Sequence, residues 1–201
     1  MQTVENKALA QIARHGRGWV FTPQDLANTG SPHAVLMALL RLSRQGRIRR
    51  LARGVYDYPE VDARLGPISP SPEAVARAVA GRDAARLQPT GAYAANLLGL
   101  SDQVPMRVVF LTDGKGRTVR IGKLDVILKH ATLRTMATAG RTSGRVIQAL
   151  RYLGQRHVDD AAIRRLRDVL SPADKARLLR DLRYAPAWVA AFMRQIAREE
   201  A

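Results

Sequence analysis

The first sixty residues change from a helical to an extended pattern of hydrophobic positions. Apolar side chains at 4–13 fall on one helical face, before glycines at 16 and 18 and a short apolar step at 19–21. Two helix starts follow, Thr22-Pro23 and Ser31-Pro32, each a capping hydroxyl ahead of a proline. The second of these helices keeps apolar residues on one face until Gly46 ends it. The pattern predicts three helices, of which the last two are joined by a short turn.

Residues 48–58 have an extended pattern. Ile48-Arg-Arg-Leu51 and Val55-Tyr-Asp-Tyr58 flank an Ala-Arg-Gly break, which is typical of a β-hairpin with Arg53 at its turn. Three helices followed by a two-stranded hairpin is the order of a winged helix-turn-helix, in which the second helix of the pair enters the major groove and the hairpin contacts phosphates or the minor groove. The alternative is a structural helical bundle whose basic face is only solvated.

A linker and a second domain are predicted after the hairpin. Residues 60–72, EVDARLGPISPSP, combine three prolines, two serines and a glycine with little periodicity. We therefore expect a winged helix-turn-helix domain over 1–62 and a second domain over 70–201. The second domain is expected to be mixed α/β with a small sheet and C-terminal helices, so the fold class is α+β. Its predicted helices cover 72–85, 91–99, 146–153, 159–170, a segment from 171, and 186–198, and its predicted strands cover 107–112, 118–121 and 124–128.

The net charge of the chain limits the classes of molecule that are expected to bind it. The chain has 201 residues, 46% of them hydrophobic, and 33 Lys and Arg against 17 Asp and Glu, a net charge of +16. A packed protein this basic favours a nucleic acid, an anionic membrane surface or an acidic protein as partner. The absence of cysteine excludes disulfides, thiol catalysis and thiolate metal sites. The N-terminus is patterned as a helix rather than a signal peptide, and no apolar run is long enough to span a bilayer. We therefore expect a cytoplasmic, soluble protein with no membrane partner.

The basic run at 41–53 is divided between two predicted elements. It contains six arginines and no acid, some on the second helix of the pair and the rest on the hairpin. We expect His33 and Arg41 to read bases, because arginine pairs bidentately with guanine, and Ser31 to cap the helix or contact a phosphate. Leu40 falls on the same side as Met37, for no reason that the sequence supplies. The candidate DNA-binding residues are Ser31, His33, Ala34, Met37, Arg41, Arg44, Arg49, Arg50 and Arg53.

The second domain has a basic region of its own. Between Lys115 and Arg156 there are ten lysines and arginines against a single acid, Asp125. This density indicates a surface for an acidic protein or for more nucleic acid. A generally basic protein without a focused patch is the alternative. The candidate partner-binding residues are Lys115, Arg117, Arg120, Lys123, Lys129 and Arg134.

Signatures of catalysis are weak. The segment Gly116–Lys123 resembles a phosphate-binding loop, but it has five residues between its glycines instead of four, and Leu124 stands where the motif needs Ser or Thr. The four histidines show no metal-ligand spacing, and no pair of carboxylates is placed for acid-base chemistry. We therefore predict a protein that is not an enzyme and that has no cofactor and no metal site.

Several segments together resemble one family. The segment LLRLSRQGRIRRLARGVYDYP (39–59) resembles the winged-helix part of AbiEi-type antitoxins, which belong to type IV toxin-antitoxin systems. The second domain is similar to the C-terminal part of that family in PTGAYAANLLGLSDQVP (89–105), VVFLTDGKGRTVRIG (108–122), VIQALRYLG (146–154) and APAW (185–188). The winged-helix segment alone is shared by many regulators, and its combination with the later segments is more specific.

The resemblance implies a repressor that binds inverted repeats in its own promoter and autoregulates its operon. It also implies that the C-terminal domain counteracts a nucleotidyltransferase-like toxin. On this chain, the implied DNA surface is the helix over 31–45 with the wing over 48–58, and the implied antitoxin surface is the basic region over 115–156. A stand-alone winged-helix regulator, or a nonspecific nucleic-acid-binding protein without a toxin partner, is the alternative.

Overall fold

The computed structural model describes residues 3–81 and 86–198 and has an α+β fold with small sheets. The chain divides into two compact units. Unit 1 comprises residues 1–81 together with Val119–Lys123, and unit 2 comprises residues 82–118 and 124–201. The predicted fold class is confirmed at this level, as helices with small sheets.

Unit 1 contains the helices and the hairpin predicted from the first sixty residues. Its elements are α1 (Val4–His15), β1 (Val20–Phe21), a 3₁₀ helix (Pro23–Thr29), α2 (Pro32–Arg44), β2 (Arg49–Ala52), β3 (Val55–Asp57), β4 (Val61–Asp62), β5 (Gly66–Pro67) and α3 (Pro72–Ala80). The middle helix is 3₁₀ rather than α. At its start, the Asp25 carboxylate accepts hydrogen bonds from the Thr22 amide at 2.8 Å and from the Thr22 hydroxyl at 2.9 Å.

One core holds unit 1 together. Its fully buried members include Ile12 of α1, Phe21 of β1, Leu26 of the 3₁₀ helix and Leu39 of α2. The three-stranded sheet has the order β1-β3-β2, with both pairs antiparallel. Phe21 stacks on Tyr56 of β3 with their ring centroids 6.0 Å apart. The hairpin is thus attached to the helices by the sheet's central strand.

The segment predicted to be a linker has structure of its own. Residues 61–67 form the small antiparallel hairpin β4–β5, in which Asp62 accepts from the amides of Arg64 and Leu65. The pKa of the Asp62 carboxyl is lowered by these two hydrogen bonds. Helix α3 follows, contacts β1 and groups with unit 1. The division between units therefore lies after residue 81 rather than within 60–72; residues 82–85, the end of the predicted helix, lie outside the described residues.

From residue 86 onward the structure has a sheet and a group of helices. The elements are β6 (Leu87–Thr90), α4 (Gly91–Leu97), β7 (Arg107–Thr112), β8 (Arg117–Ile121), β9 (Leu124–His130), α5 (Thr142–Leu153), α6 (Asp160–Val169), α7 (Pro172–Arg180) and α8 (Ala187–Ala197). The three predicted strands and the predicted C-terminal helices are confirmed. Strand β6 was not predicted.

The four-stranded sheet has the order β6-β7-β9-β8. Strands β7 and β9 pair in parallel, with Val108 opposite Val126 and Phe110 opposite Leu128. All four of these side chains are buried. The helical core of unit 2 is built from α4 to α8 and includes Leu150 and Leu166.

Candidate nucleic-acid interface

Helix α2 is oriented by the face that it buries. Val35, Leu39 and Leu42 are each at most 1% exposed and belong to the same core as Ile12 and Leu26. Because these positions recur at the helical repeat, they fix which side of α2 faces solvent. At its start, α2 is capped by Ser31, as the sequence predicted.

The N-terminal end of α2 is exposed. The Ser31 hydroxyl accepts a hydrogen bond from the Ala34 amide at 3.3 Å, and Pro32 is the first helical residue. Ser31 and His33 are exposed, and Ala34 is partly exposed. An exposed helix N-terminus with free amides is electrostatically suited to a phosphate.

Four of the candidate DNA-binding residues share one outer face of α2. At about 100° per residue, Met37 lies at the centre of this face, with His33 and Arg44 within about 40° of it on one side and Arg41 about 40° away on the other. All four are exposed. Leu40, also exposed, lies about 60° from Met37 on the His33 side. The structure therefore brings the candidate residues of α2 together.

The hairpin β2–β3 carries the remaining cations. Arg50 is on β2, and Arg53 lies in the turn beside Gly54, whose φ of +74° is a conformation that favours glycine. Both arginines are exposed. Within the part of the chain that the structure describes, the side chains of Arg44, Arg50 and Arg53 form no ion pair. These cations are available to an external anion.

Arg49 differs from the other predicted DNA-binding residues. Its Nε donates to Oδ1 of Asp57 at 3.0 Å, and its Nη2 donates to Oδ2 and to the Ile68 carbonyl at 2.6 Å. The Asp57 side chain is 1% exposed, whereas that of Arg49 is 32% exposed. Its guanidinium neutralises a buried carboxylate and holds the chain after β5, which argues against the predicted contact with DNA.

Arg41 has a weaker internal partner. Its Nη1 lies 3.8 Å from Oε2 of Glu5 on α1, and the Arg41 side chain is 62% exposed. The same Glu5 accepts a hydrogen bond from the Gln45 side chain at 3.1 Å. An exposed ion pair of this length contributes little stability, about 0–1 kcal/mol. Arg41 can therefore leave Glu5 for a stronger acceptor.

One exposed cation in this region was missed by the sequence reasoning. Arg47 lies between the end of α2 and β2, and its amide donates to the Leu42 carbonyl at 3.0 Å. Its side chain is exposed. The signal was present, since Arg47 is one of the six arginines in the basic run. It was overlooked because it belongs to neither the predicted helix nor the predicted hairpin.

The candidate partner-binding residues are all exposed, but they do not belong to one unit. Arg117 and Arg120 are on β8, Lys129 is on β9, Lys115 and Lys123 are in turns, and Arg134 precedes the 3₁₀ helix Thr135–Thr138. Arg120 and Lys123 group with unit 1, and the other four group with unit 2. Arg117 and Arg120 both have interactions inside the protein.

Unit 2 contains a polar cavity of about 250 Å³. It lies between the 3₁₀ helix Thr135–Thr138, helix α5 and the segment before α8. Its polar lining residues are Arg134, Thr135, Thr138, Gln148, Arg151 and Tyr184. Gln148 is nearly buried and accepts from the Thr90 hydroxyl at 2.8 Å.

A buried serine with a carboxylate was not anticipated from the sequence. Ser143 donates to Oδ2 of Asp181 at 2.5 Å, and Arg141 donates to Oδ1 at 2.9 Å. Ser143 is 0% exposed, so its hydroxyl is closed to a substrate. These hydrogen bonds connect the start of α5 to the end of α7.

The phosphate-loop-like segment runs through β8. No metal-binding group of histidine and acidic side chains occurs within residues 3–81 and 86–198.

Comparison with known proteins gives a family and a fold. Residues 7–178 match the model of a family of unknown function, DUF6088. No curated protein matches the chain. The crystal structure of the RV2827C protein from Mycobacterium tuberculosis is similar to this structure with a TM-score of 0.52 and 20% identity, covering 99% of this chain and 78% of that one. At this identity the similarity concerns the fold alone.

No helix in the described part of the chain has the length and apolar character to cross a membrane.

Proposed function

The chain belongs to DUF6088, a family of unknown function, and we propose that it is a DNA-binding transcriptional repressor whose residues 1–62 act as a winged helix-turn-helix. One observation carries the proposal: among the described residues, the exposed side chains of Arg44, Arg50 and Arg53 form no ion pair. The exposed Arg41 has only a long ion pair, to Glu5. Clustered arginine on a helix and an adjacent hairpin is the electrostatic footprint of a duplex-binding surface.

In the proposed complex, α2 lies in the major groove. Arg41 and Arg44 reach base edges or the flanking phosphates, and His33 contacts bases near the N-terminus of the helix. Ser31 keeps its role as the cap, which leaves the exposed N-terminus of α2 to face a phosphate. In this complex, the protein's preference for one DNA sequence over another comes from the contacts that α2 makes with base edges.

The hairpin acts as the wing. Arg50 and Arg53 contact phosphates or enter the minor groove, and Arg47 adds a further cation between the helix and the wing. Arg49 is not part of this surface. It holds β3 through Asp57 and the chain after β5 through the Ile68 carbonyl.

The role in the cell follows from the resemblance to AbiEi-type antitoxins. We propose that the protein binds inverted repeats in its own promoter, represses its operon and counteracts a nucleotidyltransferase-like toxin through residues 115–156. The exposed cations of this region, such as Lys129 and Arg134, suit an acidic partner surface. The antitoxin role is tested separately, by co-expression with the neighbouring gene: rescue of growth supports it, and its absence limits the protein to a stand-alone regulator.

Binding of point variants to the duplex upstream of the gene tests the DNA-binding proposal. We expect Arg41→Ala to weaken binding to that duplex by ~1–3 kcal/mol if Arg41 reads a base, with a smaller loss on a scrambled duplex. A matched control is Arg164→Ala, which removes one exposed arginine from α6 in unit 2. Equal losses for the two variants would contradict the assignment of α2 as the reading helix.

A further inference from the structure

Helix α2 exposes large apolar side chains on its most basic surface. Leu36 is 48% exposed, and Met37 and Leu40 are each 37% exposed, although the opposite face of the same helix is fully buried. Single exposed apolar residues are common on proteins, but a contiguous group on one face indicates a binding surface.

The charges around this group indicate what covers it. On the helical wheel, Met37 lies between the exposed Arg44 and Arg41, and Leu40 lies about 60° from Met37, next to the exposed His33. An apolar partner surface alone would desolvate the two arginines without supplying a counter-charge. The major groove of DNA offers both features, because phosphates line it and the C5-methyl groups of thymine project into it.

We propose that Met37 and Leu40 contact the C5-methyl groups of thymines in the operator. The inference rests on the proposed function and deepens it, since it assigns part of the sequence preference to apolar contacts. The two residues are three positions apart, so they are separated by about 4.5 Å along the helix axis. This is close to the rise of about 3.4 Å between successive bases of one strand. The operator therefore contains thymines at adjacent or nearly adjacent positions facing the middle of α2.

Replacing thymine with deoxyuridine tests the contact, because it removes the methyl group and leaves base pairing unchanged. The probe is the footprinted segment of the duplex upstream of the gene, first with every thymine replaced and then with single replacements. Removing one buried methyl group from a contact corresponds to a loss of about three- to fivefold in affinity. We expect that loss at no more than a few positions, which face α2, and no loss at the others.

Variants of the full-length protein identify the side chains. In Met37→Ala and Leu40→Ala, the thymine that each residue contacts becomes insensitive to deoxyuridine, because the variant has already lost the contact. Both side chains are partly exposed and alanine favours helices, so these substitutions keep the fold. Leu179→Ala is the matched control. Leu179 is a leucine that is 48% exposed on α7 in unit 2, and its variant should retain the full deoxyuridine effect.

Each outcome decides the inference. If the native duplex is preferred and deoxyuridine changes nothing, the methyl contact is refuted while the DNA-binding function stands. If the protein shows no preference for the native duplex, the proposed function fails and the inference fails with it. If deoxyuridine changes nothing and Leu40→Ala turns a dimer into a monomer in sedimentation, the apolar group is an interface with a second copy, which also overturns the proposal.

Discussion

Substitution of Arg49 by methionine tests whether the arginines of β2 have separate roles. Arg49 and Asp57 are directly opposite each other in the β2–β3 pair and share two hydrogen bonds. Methionine keeps most of the apolar stem and removes the guanidinium. The Asp57 carboxylate, 1% exposed, is then left without the cation that neutralises it.

The expected cost follows from this burial. Removing one partner of a buried ion pair costs ~3–5 kcal/mol, because the remaining charge is unpaired in a poorly solvated place. The Arg49 side chain is 32% exposed, so water enters part of the space it vacates. We therefore expect Arg49→Met to lower the free energy of unfolding of unit 1 by ~2–4 kcal/mol. Arg50→Met, on the same strand with an exposed side chain and no ion pair among the described residues, should change it by less than about 0.5 kcal/mol.

Urea denaturation followed by tryptophan fluorescence measures these effects. The chain has two tryptophans, Trp19 in unit 1 and Trp188 in unit 2, so all variants are made in a Trp188→Phe background. Trp19 is stacked on Phe21 with ring centroids 4.6 Å apart, so its emission reports the packing of unit 1. DNA binding should show the opposite order, with Arg50→Met losing affinity. A stability loss below about 1 kcal/mol for Arg49→Met, or equal losses for both variants, would refute the reasoning.

Three further predictions concern single residues. Arg53→Ala should lower affinity for native and scrambled duplexes alike and reduce the slope of log K against log[salt] by about one in magnitude, and a loss confined to the native duplex would contradict its role as a phosphate contact. Glu5→Gln should strengthen DNA binding by about 0.2–1 kcal/mol in the same titration, because it releases Arg41 and removes an acid near the phosphates, and an unchanged affinity would count against this. Ser171→Ala should destabilise unit 2 by about 1 kcal/mol at pH 7, and by less once the pH falls below the folded-state pKa of Asp174. Hydrogen bonds from the Ser171 hydroxyl, and then from that of Thr142, lower the pKa of the Asp174 carboxyl. The stability that the Ser171–Asp174 hydrogen bond contributes is therefore fully present above the ordinary pKa of Asp and is lost as the pH falls through the lowered pKa. A loss of stability in Ser171→Ala that is independent of pH in urea titrations would contradict the reasoning.

The helices and strands were largely predictable because their signals are local. A serine before a proline marks the starts of α2, α3 and α7, and in each case the serine hydroxyl caps the helix in the structure. The exposed face of α2 was predictable for the same reason, since the helical repeat fixes which residues point away from the core.

Features that depend on contacts distant in sequence were not predictable. The parallel pairing of β7 with β9 requires β8, which lies between them in sequence, to take its place beyond β9 in the sheet. Strand pattern alone does not specify this order. The sequence did not indicate the β4–β5 hairpin, because composition cannot show that a short segment closes through Asp62, or that α3 contacts β1 and groups with unit 1.

The roles of Arg49 and Arg50 depend on a single irregularity. Ala52 pairs with Val55, and a regular continuation of that register would place Arg50 opposite Asp57. The register shifts between Arg50 and Ala52, so Arg49 faces Asp57 instead. A one-residue shift therefore decides which arginine forms the ion pair and which is exposed, and no local sequence signal encodes it.

Binding of the purified protein to the duplex upstream of its own gene, and to a scrambled duplex of equal composition, tests the central proposal most directly. Both affinities are measured across a salt series, because phosphate contacts weaken with salt whereas base contacts are much less affected. The account predicts that preference for the native duplex persists as salt rises. Parallel loss of both affinities, with no preference at any salt concentration, would contradict it and leave charge alone as the source of binding.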